Sequence, residues 1–200
     1  MSSIGAAFAV VVLERGEAIG ARWRSRYAGL RLNTFAGFSH LPGRRLPRAA
    51  GRYASRDGFV EYLECYARDY RLDVRLGVDA QRIQRDANGW SVTTSAGARL
   101  APYVVVATGW DAEPKLPEWA PGSPFAGAVL HTSELTDLSR FRGQRVLVVG
   151  AGSSGIDVAG LLLGAGADVT VSMRTPPNVF PCDWLGVPMG PRRKRAAPAG

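Results

Sequence analysis

The stretch Arg145 to Arg174, RVLVVGAGSSGIDVAGLLLGAGADVTVSMR, constrains the fold more than any other part of the chain. It opens with an apolar run, Val146 to Val149, that reads as a buried strand. Gly150, Gly152 and Gly155 follow at G-x-G-x-x-G spacing. An apolar helical stretch runs from Ile156 to Leu163, then come Gly164 and Gly166, and a second strand from Val169 to Ser172. Each glycine has a mechanical reason: the first permits a tight turn, the second lets a pyrophosphate approach the backbone, and the third lets helix and strand pack closely. The phosphates would meet the free N–H groups of the helix N-terminus. A glycine-rich packing turn without a ligand is the alternative, and the order strand, turn, helix, strand favours a nucleotide site.

The end of the second strand refines this reading. A site for NAD usually places Asp or Glu about 20 residues beyond the glycine loop, where it accepts from the ribose 2′-OH. Here that place holds Ser172, Met173 and Arg174. With a guanidinium present and no carboxylate, a 2′-phosphate is attracted rather than repelled, which favours NADPH over NADH. The competing view makes Arg174 a solvated charge at a strand end.

With 46% hydrophobic residues, the 200-residue chain has material for a sizeable core. Of its net charge of +8, four come from Arg192, Arg193, Lys194 and Arg195, in a tail that reads as disordered. That tail has no interleaved aromatics, so nucleic acid is not an expected partner. Cys65 and Cys182 stand far apart with no C-x-x-C, and His40 and His131 are the only histidines. A dithiol centre and a metal site are therefore both unexpected, and the thiols read as reduced, in a cytoplasmic protein. There is no G-x-S-x-G elbow and no run of 18 apolar residues, so neither a serine hydrolase nor a membrane span is expected.

Before the central stretch, Phe8 to Leu13 reads as a strand ending at Glu14, the form of a second strand whose acid holds a ribose hydroxyl. Glu14 as a plain surface acid is the other reading. Thirteen residues precede it, too few for a first strand, phosphate loop and helix, so the dinucleotide unit is expected to be incomplete. Residues 22–47 read as a long structured loop with short strands. Ser55 and Asp57 are candidate caps for an amphipathic helix carrying Phe59, Leu63, Tyr66 and Tyr70 on its core face. Short strands are expected at Val74 to Leu76, Ala80 to Ile83 and Trp90 to Thr94, with Asn88-Gly89 as a hairpin turn. Tyr103 to Ala107 reads as a buried strand, residues 113–124 as a proline-rich connector, and the segment after Arg174 as an irregular loop.

Four segments together resemble the flavin-containing monooxygenases, the class B flavoprotein monooxygenases that include Baeyer-Villiger and YUCCA-type enzymes. ERGEAIGARW resembles the family's acid followed by G-G-x-W, with Glu14, Gly20 and Trp23 retained and Ala21 in place of the second glycine. FAGAVLHTSEL resembles the F-x-G-x-x-x-H signature through Phe125, Gly127 and His131. ATGW, with Thr108 and Gly109, is similar to the family's A-T-G plus aromatic, and GAGSSG is similar to its NADPH loop. RLNT, the helix SRDGFVEYLECYA and RTPPNVFPCDWLG are closest to the YUCCA-like branch.

The resemblance implies an α/β fold with two dinucleotide-binding, Rossmann-like lobes. The FAD lobe (1–112) is expected to be incomplete; a linker (113–142) carries the signature; the NADPH lobe (143–188) is expected to be truncated; the basic tail (189–200) follows. The implied activity is NADPH- and FAD-dependent oxygenation of a small organic substrate by O₂ through a flavin hydroperoxide. By this carry-over Glu14 holds the FAD ribose, and Gly20, Trp23, Thr108 and Gly109 lie along FAD. Gly150, Gly152, Ser153, Ser154 and Gly155 cradle the NADPH pyrophosphate, with Ser172 and Arg174 near its 2′-phosphate. His131 matters to turnover from the linker and is not a general base; a satisfied linker histidine is the other reading. Two departures stand out: Leu135 holds the signature's aromatic place, and Ser153 stands where many relatives have Asn. A catalytically silent NADP(H)-binding remnant is the alternative, and a flavin-dependent disulfide reductase is disfavoured by the missing cysteine pair.

Overall fold

A computed structural model describes residues 9–87, 89–109, 113–178, 183–184 and 187–188. The tail from Met189 onward, Cys182, Trp110 and the residues before Ala9 lie outside them. The described chain falls into two compact units, one from residues 1–25 and 60–114, the other from 26–59 and 115–200.

In the first unit, β1 (Val11–Leu13) pairs in parallel with β2 (Asp73–Arg75), Val12 opposite Val74. Between them in sequence come the short helix α1 (Ala21–Arg24) and the long helix α2 (Arg56–Asp69). Ser55 starts α2 as expected, its Oγ accepting from Gly58 N–H at 3.1 Å. The buried face differs from the expected one. Val60, Tyr62 and Ala67 are buried, Phe59, Leu63 and Tyr66 are half-buried, and Tyr70 is exposed. Aromatic residues spaced along the helix carry the period but not its phase, because Val60 and Ala67 have the same period one position over.

A three-stranded antiparallel meander completes this unit: β3 (Ala80–Asp86), β4 (Gly89–Thr94) and β5 (Gly97–Ala101). The hairpin is shifted by one residue from the expected Asn88-Gly89 turn. Asp86 pairs with Gly89, so Gly89 is a strand residue, and Asn88 lies outside the described residues. A Cβ on Gly89 would stand 2.6 Å from Ala101 O on β5, so close strand approach requires the glycine there. Tyr103 to Ala107 is a second correction. No strand pairs with it among the described residues, and Val105 is 87% exposed. Apolar composition supplies strand propensity, but without a ladder partner the backbone takes no strand.

The second unit contains β6 (Arg145–Val149), α3 (Ser153–Gly164) and β7 (Asp168–Ser172), with β6 and β7 parallel and Val149 opposite Ser172. Val158, Ala159 and Leu162 form the buried stripe of α3. The strand expected to be buried is buried at Val148 alone, while Leu147 and Val149 are more than half exposed. One face of β6 meets α3, and no element among the described residues covers the other. In the segment expected to be an irregular loop, two short strands, β8 (Asp183–Trp184) and β9 (Val187–Pro188), pair antiparallel. The two parallel strand pairs and the helix crossover give the expected α/β class.

Candidate functional site

The glycine turn between β6 and α3 is built as the spacing requires. Gly150 has φ +102, a left-handed conformation, and its N–H donates to Ser172 O at 2.9 Å, tying the turn to the end of β7. A Cβ on Gly155 would collide with Gly150 O, so helix and turn can approach this closely only with glycine. Gly150 and Gly152 by contrast face open space. Gly152 is the N-cap of α3; no side chain caps it and no acid lies in the first turn. The first backbone N–H groups of a 12-residue helix thus have no side-chain cap and no acid in the first turn, and the glycines beside them face open space. A pyrophosphate fits this donor set.

Ser153 is exposed on this turn, and Ser154 is half-buried. The β6–β7 register sets Ser172 beside Val149 and so beside the glycine turn; Arg174 follows two residues on, exposed and without an ion pair among the described residues. The structure therefore gathers Gly150, Gly152, Ser153, Ser154, Gly155 and Ser172 at one end of a parallel strand pair, with Arg174 at its margin.

The Glu14 end of the first unit is organised differently. Glu14 follows β1; its Oε1 accepts from Gly16 N–H at 2.7 Å, and its backbone oxygen accepts from Val78 N–H at 3.0 Å. Oε2 makes no hydrogen bond among the described residues, which leaves an acceptor at the strand end, as a ribose hydroxyl needs. Gly20 caps α1 in a left-handed conformation, and its O accepts from the Trp23 N–H. Thr108 and Gly109 are exposed, and no hydrogen bond joins them to the Glu14 loop among the described residues.

His131 caps a short 3-10 turn, Thr132–Glu134. Its Nδ1 accepts from Ser133 N–H at 3.2 Å and lies 2.8 Å from Ser133 Oγ, while its own N–H donates to Glu134 Oε2 at 2.6 Å. An accepting Nδ1 leaves the ring proton on Nε2. Close by, Leu135, in the signature's aromatic place, is buried, and its O accepts from Ala28 N–H at 2.9 Å.

Two residues that sequence reasoning missed stand behind the glycine turn. Tyr27 is 3% exposed and donates to Asp157 Oδ2 at 3.0 Å. Burial first, then the Asp157 charge and hydrogen bond, pushes the phenol up to about 12, so it remains a donor. Asp157 also lines a cleft of about 450 Å³ with Leu30, Asn33, Ile156 and Leu161. No group of three or more His, Cys, Asp or Glu residues is placed to hold a metal among the described residues. No helix among them is long and apolar enough to cross a membrane.

The family model for pyridine nucleotide-disulphide oxidoreductases matches residues 6–181, nearly the whole described chain. The chain belongs to that family. Within it, the chain is 37% identical over 180 residues to indole-3-pyruvate monooxygenase YUCCA1 of Oryza sativa subsp. japonica, covering 88% of this chain and 44% of that protein. It is 26% identical to the solved flavin-containing monooxygenase of Stenotrophomonas maltophilia, with a TM-score of 0.72 over 84% of this chain and 58% of the other. It shares its fold, at 24% identity and a TM-score of 0.64, with OTEMO solved in complex with FAD and NADP, over 84% of this chain and 35% of that one. The resemblance to flavin-containing monooxygenases is thus borne out, as is the Rossmann-like α/β class. The chain spans less than half the length of the curated relative.

Proposed function

We propose that the chain is the cofactor-binding part of an NADPH- and FAD-dependent monooxygenase that oxygenates a small organic substrate with O₂. The observation that carries this reading is the uncapped helix N-terminus behind Gly150, Gly152 and Gly155, in a chain similar to monooxygenases over most of its length. When bound, the two cofactors supply hydride transfer and oxygen activation.

The chain's own residues bind and orient. Backbone N–H groups of Ser153, Ser154 and Gly155 hold the NADPH pyrophosphate, with the Gly150–Gly152 turn keeping side chains out of the way. Arg174 and Ser172 hold the 2′-phosphate, the guanidinium supplying charge and a planar donor set. Glu14 accepts from the FAD ribose, and Gly20, Trp23, Thr108 and Gly109 line the path of that cofactor. His131 moves no proton in this scheme: its Nδ1 is engaged in the turn, and it serves turnover by holding the linker segment to that shape. The widely spaced cysteines support the cytoplasm as compartment.

The test is a visible absorbance spectrum of the purified chain, taken as isolated and again after incubation with FAD and removal of the excess. A retained flavin band is expected. A colourless protein would overturn FAD binding by this chain and leave the NADP(H)-binding remnant.

A further inference from the structure

The glycine turn is not held by its own strand pair alone. Helix α3 packs its Val158, Ala159 and Leu162 stripe inward, and the segment Tyr27 to Leu30 approaches the helix from elsewhere in the chain. Tyr27 donates to Asp157 Oδ2 at 3.0 Å. A Cβ on Gly29 would stand 2.8 Å from Leu161 Cδ2. Between them, Ala28 N–H is fixed by Leu135 O at 2.9 Å. A buried phenol thus ties this segment to Asp157 near the start of α3, with Ser154 one turn before it.

We propose that Tyr27 is a positioning residue for the dinucleotide: its hydroxyl, bonded to Asp157, fixes the N-terminal turns of α3 so that the backbone donors at 153–155 stay aimed at the pyrophosphate. The proposal rests on the NADP(H) reading of the glycine turn. An array of backbone donors binds an anion well only when it is already oriented, since ordering it on binding costs affinity.

The experiment measures NADP⁺ dissociation constants by calorimetry, and amide hydrogen exchange at residues 156–158 without ligand, in the wild-type chain and in Tyr27→Phe, Asp157→Ala and Asp157→Asn. Work well below each variant's melting temperature separates positioning from loss of fold. Tyr27→Phe keeps the ring and its packing. It is expected to raise the dissociation constant about fivefold and speed exchange of the Ile156 amide, which bonds Gly152 O at 3.0 Å. Asp157→Ala is expected to match it, and Asp157→Asn, which keeps an acceptor oxygen, to lose about twofold. Wild-type affinity in Tyr27→Phe and Asp157→Ala would overturn the positioning role while leaving the dinucleotide site intact, and so would faster exchange without weaker binding. A wild-type chain that binds no NADP⁺ would overturn the dinucleotide reading and the role of Tyr27 with it.

Discussion

The two strand ends proposed to hold the nucleotides, Glu14 after β1 and Gly150 after β6, are built from the same parallel pairing and differ in what completes them. The β6 loop is closed by chain that follows at once: α3 and β7 lie within the same 145–174 stretch, and Gly150 N–H reaches Ser172 O. The β1 loop takes its partner from far along the chain, with Val11 paired to Asp73, and its acid bonds the neighbouring Gly16 N–H. A site whose donors come from one contiguous βαβ unit is specified by local geometry, where each glycine has a definable steric reason. A site assembled from distant segments depends on the tertiary context of each piece.

The sharpest way to break this comparison is Gly155→Ala. The added methyl would overlap Gly150 O, so the variant is expected to lose about 3 kcal/mol of stability and more than about 100-fold in NADP⁺ affinity, read by denaturant titration and calorimetry. Gly160→Ala on the same helix meets nothing within 4 Å and is expected to gain about 0.5–1 kcal/mol. Equal effects of the two would mean that the tight turn is not the reason for the glycine. Next in size, Arg174→Ala is expected to weaken NADPH binding about tenfold and leave NADH nearly unchanged. Equal losses for both would return Arg174 to a solvated strand-end charge.

On the other side of the comparison, Glu14→Ala removes the acceptor for Gly16 N–H and is expected to cost about 1 kcal/mol in thermal or denaturant unfolding, and to lower the amount of flavin retained. Loss of flavin with unchanged stability would show a purely ligand-directed acid. The last effect is in pH. The Tyr27 phenol is raised from 10.0 to about 12 in the fold, so the unfolded chain releases this proton first as pH rises. The stabilisation is complete below pH 10 and is lost between pH 10 and 12, and Tyr27→Phe is expected to flatten that part of the stability profile. An unchanged slope would mean that the burial of the phenol and its Asp157 contact do not persist in solution.

The legible parts of the molecule were those with a local cause. The 145–174 unit was readable because apolar periodicity, glycine spacing and strand length all fall within one continuous segment, and Ser55 announced α2 through its capping chemistry. What escaped depends on neighbours distant in sequence. Gly97–Ala101 carries no alternation of apolar residues, yet it pairs with β4 because Thr94 closes the turn, its Oγ1 donating to Gly97 O and accepting from Ala96 N–H. Tyr103 to Ala107 had the composition of a strand and lacked a ladder. Tyr27 lies in a segment without periodicity, so nothing local signals its meeting with Asp157; only the nearby Gly29 hints at close approach.

The central claim, that the turn at Gly150–Gly155 binds NADP(H) through backbone donors with Arg174 selecting the 2′-phosphate, is tested most directly by titrating the chain with NADP⁺ and, separately, with NAD⁺ in a calorimeter. Saturable binding of NADP⁺ at least about tenfold tighter than NAD⁺ is the predicted result. No binding of either, or equal affinity for both, would contradict the claim.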